Sequence, residues 1–358
     1  MKSNLDDRTG NGDEETPHRG GPYIIYHDDF LLHDPSPYPH PENPERVQVA
    51  LGSLLDSCGR SIEIVTPPRR DPFEAYSLVH DRDYMQIVLE ASQSPTPTWI
   101  DPDTYVSPGT PKALARLAGA VDVAINTAVR GGTTIILGRP PGHHAGKRGP
   151  AMGAPTLGFC IFNTAALIAR RLSEHGRVAV LDFDLHHGNG TQEILWWDSI
   201  LHVDIHQDPS TIYPGTGFPE DIGGVAGSKV NIIVPPGSGD DIYIDAVEVA
   251  LNLLRDYNPD YLVVSAGFDA YIGDFASMQA TEHTFARIGR SVRDLAVPVI
   301  IVLEGGYTSG LKMGLPAFTC SLFGEKYKVS REPTVSSERA WKSYKTFLSR
   351  LNEALHNG

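Results

Sequence analysis

From Thr133 onward the chain alternates short apolar runs with amphipathic helical stretches, and this alternation restricts the fold more than any other feature of the sequence. The runs are TTIIL (133–137), VAVLDF (178–183), 201–205, 229–234, YLVVS (261–265) and VPVIIVL (297–303). Helices are expected between them over about 164–175, 241–257 and 282–295. Strands that alternate with helices predict a parallel sheet wound on both faces. The runs are apolar throughout, as strands buried on both sides require. The first part of the chain adds strands at 23–27 and 62–65 and a helix opened by Asn43-Pro44-Glu45 and running to about Ser57. Two short helices fall within 71–93, and an Ala-rich helix spans 110–129 and stops at Gly131-Gly132. Residues 92–110 read as an exposed loop, and 335–356 as a charged packing helix. No internal repeat is present. One catalytic domain is expected over 22–358, behind a polar, disordered tail at 1–21.

The unusual residues sit at the ends of the apolar runs. They are His143-His144, then Asp182, Asp184 and His186 in DFDLHHGNG, then Asp269, then Glu304 and Tyr307 in EGGY. All strands of an open parallel sheet end at one edge, and ligands bind there. Four clusters spread over 165 residues should therefore meet in space. In an extended chain Asp182, Asp184 and His186 project to one side. A solvated loop after a strand tolerates one such residue but explains three poorly.

Asp184, His186 and Asp269 form a set of three oxygen and nitrogen ligands with a position left open, as in a catalytic zinc site. Water activated by the ion needs a base, and His143 or His144 supplies an imidazole. The Tyr307 hydroxyl, on a Gly-Gly backbone, can stabilise an oxyanion. Together these parts describe hydrolysis of an amide. Taken singly, most of them have a blander reading: Asp269 as a turn residue, Tyr307 and Phe159 as core. His187, His202 and His206 are expected to be structural, His33 and His40 to be solvated on a rim loop, and Cys160 to be a small buried apolar residue. Asp274 and Glu304 have no assigned role.

Composition limits the partners. The net charge of −14, from 44 acids against 30 bases, disfavours nucleic acid. No membrane span is visible. The three cysteines, Cys58, Cys160 and Cys320, are far apart and odd in number, which argues against a disulfide framework and for a reducing, cytoplasmic setting.

The segments RPPGHHAG, GFCIFN, DFDLHHGNGTQ, YPGTG, SAGFDA and LEGGY together resemble the zinc-dependent histone deacetylase and acetylpolyamine amidohydrolase superfamily, over roughly residues 22–320. The match is nearest its class II branch, through the paired prolines before Gly142 and through Glu304. The resemblance implies an arginase-like α/β fold with an eight-stranded parallel sheet, and zinc on Asp184, His186 and Asp269. It makes His144 the general base and acid with Asn189 as partner, His143 an electrostatic helper paired with Asp182, and Tyr307 the carbonyl polariser. It further implies a potassium ion at Asp182, where the next contributor, usually a serine, falls on Asp204. Gly158, Phe159 and Tyr213 would line an acyl-lysine tunnel, with Asp103 gripping the substrate backbone and Arg46 lining an acetate exit. Ala276 falls where polyamine-selective relatives carry an acid, which favours acetyl or other acyl groups on lysine-like amines, in an acetylated lysine peptide or protein, with a small acetylated amine cleaved by an acetylpolyamine amidohydrolase as the alternative.

Three other readings compete. An arginase would need a carboxylate where Gly188 stands, and an aspartyl phosphatase has no use for the histidine pair. A degenerate acyl-lysine binder should have lost a ligand, Tyr307 or a histidine of the pair, and all are present.

Overall fold

Among the residues that the computed structural model describes (22–58, 62–225 and 227–357), eight strands form one wholly parallel sheet. In chain order they are β1 Tyr23–Ile25, β2 Glu63–Val65, β3 Thr134–Ile136, β4 Val178–Asp182, β5 Leu201–Gln207, β6 Lys229–Val234, β7 Tyr261–Ala266 and β8 Val299–Leu303. Their order across the sheet is β6-β5-β4-β7-β8-β3-β1-β2. The expected disordered tail at 1–21 lies outside the described residues.

Both faces of the sheet are covered, and β4 shows why its sequence is apolar at every position. Ala179 and Leu181 pack into a core that contains the helices Glu45–Cys58, Asp240–Tyr257, Glu282–Asp294 and Leu315–Leu322. Val178 and Val180 face the opposite core, with the helices Thr110–Val129 and Thr164–Leu172. The terminal helix Glu338–Asn357 docks on the first of these layers through Ala340, Tyr344 and Leu351. Its Trp341 indole donates to Asp241 at 2.8 Å, so it is a packing helix, as expected.

Three expectations need correction. Residues 92–110 are not simply an exposed loop: Thr98–Trp99 and Tyr105–Val106 pair as a hairpin, and residues 104–107 are buried. The Tyr105 hydroxyl donates to Glu42 Oε2 at 3.2 Å, and the His33 ring stacks on Tyr105 at 4.3 Å. His33 is therefore a core residue and not a solvated one. The third correction is a disulfide between Cys58 and Cys320, 262 residues apart. Spacing concealed it, because only the packing of the Glu45–Cys58 and Leu315–Leu322 helices brings the two thiols together. Cys160 is free and buried. No helix among the described residues is long and apolar enough to cross a membrane.

Candidate active site

β4 ends at Asp182, and the chain then bends through 183–187. The bend separates what a straight strand would have kept on one side. Asp184 and His186 turn toward Asp269, in the loop after β7, and ligand atoms of these three buried residues lie within 4.8 Å of one another. His186 Nδ1 stands 3.2 Å from Asp184 Oδ1 and 2.9 Å from Asp269 Oδ2. The second approach is off the hydrogen-bond line, so Asp269 Oδ2 is buried without a donor. Amides fix the other carboxylate oxygens: Gly305 N donates to Asp184 Oδ2 at 2.7 Å and Leu185 N to Asp269 Oδ1 at 3.1 Å. Gly305 is required for this approach, since a Cβ there would stand 2.4 Å from Asp184 Oδ2 and 2.7 Å from Asp269 Oδ2.

The electrostatics of the three are strained in opposite senses. Burial opposes ionisation of Asp184, yet the His143 and His186 charges hold it below the usual carboxylate range. Burial opposes the His186 cation as well, but Asp184 and Asp269 push it up to about 9. Burial and the Asp184 charge push Asp269 up. An imidazole nitrogen aimed at two carboxylates, one of them holding an unpartnered oxygen, fits a divalent cation.

The histidine pair lies beside this cluster, its rings 4.0 Å apart. Asn189 Nδ2 donates to the Ala151 carbonyl at 2.9 Å, which turns Asn189 Oδ1 toward His144 Nδ1 at 2.8 Å. His144 Nδ1 therefore carries the proton and Nε2 is left with its lone pair. Burial, and then the His143 and His186 charges, hold His144 well below the ordinary imidazole value. His143 Nδ1 donates to Asp182 Oδ2 at 3.1 Å. Burial opposes its charge, but Asp184 and Asp182 raise it well above the ordinary value. The two adjacent histidines are thus pushed in opposite directions, His143 up and His144 down. Glu304 Oε2 accepts from the amides of Gly142 and His143 at 2.8 and 3.2 Å, giving a residue without an assigned role a place in holding this turn.

Tyr307 lies on the segment after β8, which is clamped on both sides. Arg46 donates to the carbonyls of Gly306 (2.7 Å) and Glu304, with its guanidinium 4.7 Å from the Tyr307 ring centre. Asp274 accepts from the amides of Tyr307 (3.0 Å), Thr308 (2.8 Å) and Gly310 (2.8 Å). Burial pushes the Tyr307 phenol well above its ordinary value, so it stays protonated and can donate.

Phe159 and Tyr213 stand as walls above these groups. Phe159 is perpendicular to Tyr307 at 6.1 Å, and Tyr213 to His144 at 4.9 Å. A Cβ on Gly158 would fall 2.6 Å from Tyr213 and 2.7 Å from His144, so the wall closes only around glycine. Phe275, which the sequence reading missed, belongs here too, 4.8 Å from Tyr307 and 6.0 Å from His186. Ala276 follows it, partly buried. Asp103 faces Thr104 and Thr156, accepting from their hydroxyls at 2.8 and 2.6 Å, while His40 donates to its carbonyl. Asp182 and Asp204 do not join the Asp184 cluster; they pair across β4 and β5 and form a separate one with His202. Beneath the site, Glu42 pairs with Arg139 through two 2.6 Å contacts and with Arg46 at 3.1 Å, all fully buried.

The histone deacetylase domain model matches residues 40–319. An uncharacterized protein of Methanocaldococcus jannaschii is 41% identical over 304 residues, covering 83% of this chain and 86% of that protein. A probable deacetylase of Methanothermobacter thermautotrophicus is 36% identical over 314 residues, covering 85% and 92%. Among solved structures, the HD domain of HDA15 superposes with a TM-score of 0.80 at 29% identity, covering 93% of this chain and 95% of that one. Acetylpolyamine aminohydrolase from Burkholderia pseudomallei superposes with a TM-score of 0.74 at 29% identity, covering 85% and 98%.

Proposed function

Because this chain belongs to the histone deacetylase domain family, we propose that it is a zinc-dependent amide hydrolase that removes acetyl groups from lysine side chains. Asp184, His186 and Asp269 would hold the ion. When bound, zinc supplies Lewis acidity, which polarises an amide carbonyl and makes water nucleophilic near neutral pH.

The chain's own groups divide the remaining work. His144 Nε2, neutral and unpartnered, takes a proton from the attacking water and later delivers it to the leaving amine. His143, hydrogen-bonded to Asp182 and pushed against the effect of burial toward its charged form by Asp184 and Asp182, stabilises negative charge that develops beside it. Tyr307 donates its phenolic hydrogen to the oxygen of the scissile carbonyl as charge accumulates there. Phe159, Tyr213 and Gly158 shape a narrow passage for an unbranched methylene chain, and their aromatic walls exclude water. Ala276, at the mouth, offers no carboxylate to a distal ammonium, which favours acyl-lysine over acetylpolyamine.

The observation that carries this reading is the buried Asp184, His186 and Asp269 donor set with His144 hydrogen-bonded to Asn189 and His143 to Asp182 beside it. Release of acetate from an acetyl-lysine peptide, compared with acetylspermidine on the zinc-loaded protein, tests it. The peptide is expected to give the higher kcat/KM. The reverse ranking would replace the substrate assignment by the polyamine reading, and bound zinc without turnover of either would point to an acyl-lysine binder.

A further inference from the structure

The turn that carries the histidine pair is held from behind by a third histidine. Within residues 143–146, three carbonyls are each met by a donor from elsewhere in the chain. Thr191 N donates to the His143 carbonyl at 3.0 Å, Asn163 Nδ2 to that of Ala145 at 3.3 Å, and His80 Nδ1 to that of Gly146 at 2.8 Å. Between them the His144 amide donates to Cys160 Sγ at 3.4 Å.

His80 reaches this turn twice. Its Nε2 accepts the Asn163 amide at 2.8 Å, which fixes the tautomer: Nε2 keeps the lone pair and Nδ1 carries the proton to Gly146. Asn163, seated on that ring, in turn holds Ala145. Its Oδ1 caps the helix Thr164–Leu172 through Ala166 N at 2.8 Å, and its Nδ2 also donates to Thr191 Oγ1 at 3.0 Å. One imidazole thus ties together the turn, a helix start and the segment that holds His143.

His80 is itself fixed. It lies between the helices Pro72–Tyr76 and Arg82–Ala91, is 2% exposed, and is enclosed by the rings of Tyr76, Tyr84 and Phe162. The next residue docks alongside it, Asp81 N donating to the Lys147 carbonyl at 2.8 Å. Burial holds the His80 imidazole down to about 4, so it stays neutral and its lone pair stays available. A histidine that only filled space would have no need of partners 66 and 83 residues away, both on segments that meet the backbone around His144.

We infer that His80 is a positioning residue for the general base: it fixes the backbone of residues 143–146 so that His144 Nδ1 meets Asn189 Oδ1 and Nε2 is left unpartnered. The inference rests on the reading of His144 as that base. Without the His80 ring, the Gly146 carbonyl and the Asn163 amide lose their partners in a buried region, and only a movement of the turn can supply new ones. A small displacement of a reacting group costs turnover steeply. The tunnel wall is anchored elsewhere, since Asp101 accepts the Leu157 amide at 2.7 Å and Thr104 Oγ1 the Phe159 amide at 3.0 Å. The loss should therefore fall on kcat and spare KM.

The test uses the zinc-loaded full chain. His80→Ala is expected to lower kcat for an acetyl-lysine peptide by roughly tenfold to a hundredfold with KM little changed. His80→Asn, whose side-chain amide can still donate to the Gly146 carbonyl, should recover part of that loss. A second readout needs no turnover: the Nδ1 proton of His144, observed by NMR in protein with isotopically labelled histidine and identified by its absence from His144→Gln. In His80→Ala it should shift and exchange faster as its bond to Asn189 loosens. A proton that stays in place overturns the inference, as does a loss confined to KM or thermal stability. If neither His80 variant folds, Asn163→Ser decides by the same readouts, because serine still caps the helix but cannot reach the Ala145 carbonyl; an unmoved proton there overturns the inference too. If wild type releases no acetate, the proposed activity fails, and the His144 proton alone decides the role of His80.

Discussion

Replacing Asn189 by aspartate puts a negative charge where a neutral amide oxygen now stands, 2.8 Å from Nδ1 of His144. Two unit charges about 4 Å apart are worth about 4 kcal/mol at an effective dielectric constant near 20. At 1.36 kcal/mol per pH unit that sets a ceiling of about 3 units on the rise in the His144 pKa. The neighbouring His143 cation and a bound dication absorb part of the new charge, so a shift of about 1–2 units is expected. The sign follows from the role of the group. A general base works deprotonated, and burial with two cationic neighbours now holds His144 well below the ordinary imidazole value. Raising its pKa must move the acidic limb of kcat/KM to higher pH and lower activity below the new limb. Asn189→Ala, which removes the acceptor without adding charge, should lower kcat/KM and leave the limb far less displaced. The assay is kcat/KM for an acetyl-lysine peptide from pH 5 to 9 on zinc-loaded protein. An acidic limb that stays in place in Asn189→Asp would refute the assignment of His144 as the base.

The other predictions concern the groups around that base. Tyr307→Phe should keep its metal by elemental analysis and lose kcat by roughly two to three orders of magnitude, as for a lost oxyanion donor; wild-type turnover would remove Tyr307 from the mechanism. Asp274→Ala frees the amides of Tyr307, Thr308 and Gly310, so kcat should fall about tenfold or more, equivalent to 1.4 kcal/mol, with KM little changed and partial rescue by Asp274→Asn. A parallel change in KM and stability would mark Asp274 as merely structural. Burial opposes ionisation of Glu42, but Arg139 and His33 hold its carboxyl well below the ordinary value. Its contribution is therefore complete above the unfolded pKa of about 4.3 and lost as pH falls through the lower folded value. Glu42→Gln should cost about 3–5 kcal/mol at pH 7, since it leaves Arg139 buried and unpaired, and should flatten the acid slope of urea-unfolding free energy. An unchanged midpoint at pH 7 would contradict this.

Much of the architecture was legible because β4, β7 and β8 are buried on both faces and so are written as continuous apolar runs. The sharp change from Leu181 to Asp182 and from Leu303 to Glu304 marks the sheet edge in the sequence itself. What stayed hidden depends on contacts across long separations. Phe275 gives no local signal that it meets Tyr307. The Cys58–Cys320 bond requires knowing which helices neighbour each other. His33 looked solvated because proline-rich loops usually are, yet Glu42, Tyr105 and Arg139 draw that loop into the core. The bend after Asp182 defeated the simple alternation rule, sending Asp182 toward Asp204 while Asp184 and His186 turned to Asp269.

The most direct test is a crystal of the zinc-loaded protein with diffraction recorded on both sides of the zinc absorption edge. The account predicts an anomalous peak about 2.0–2.2 Å from carboxylate oxygens of Asp184 and Asp269 and from Nδ1 of His186. Density that lacks a peak between these three residues, in protein that releases acetate, would contradict it.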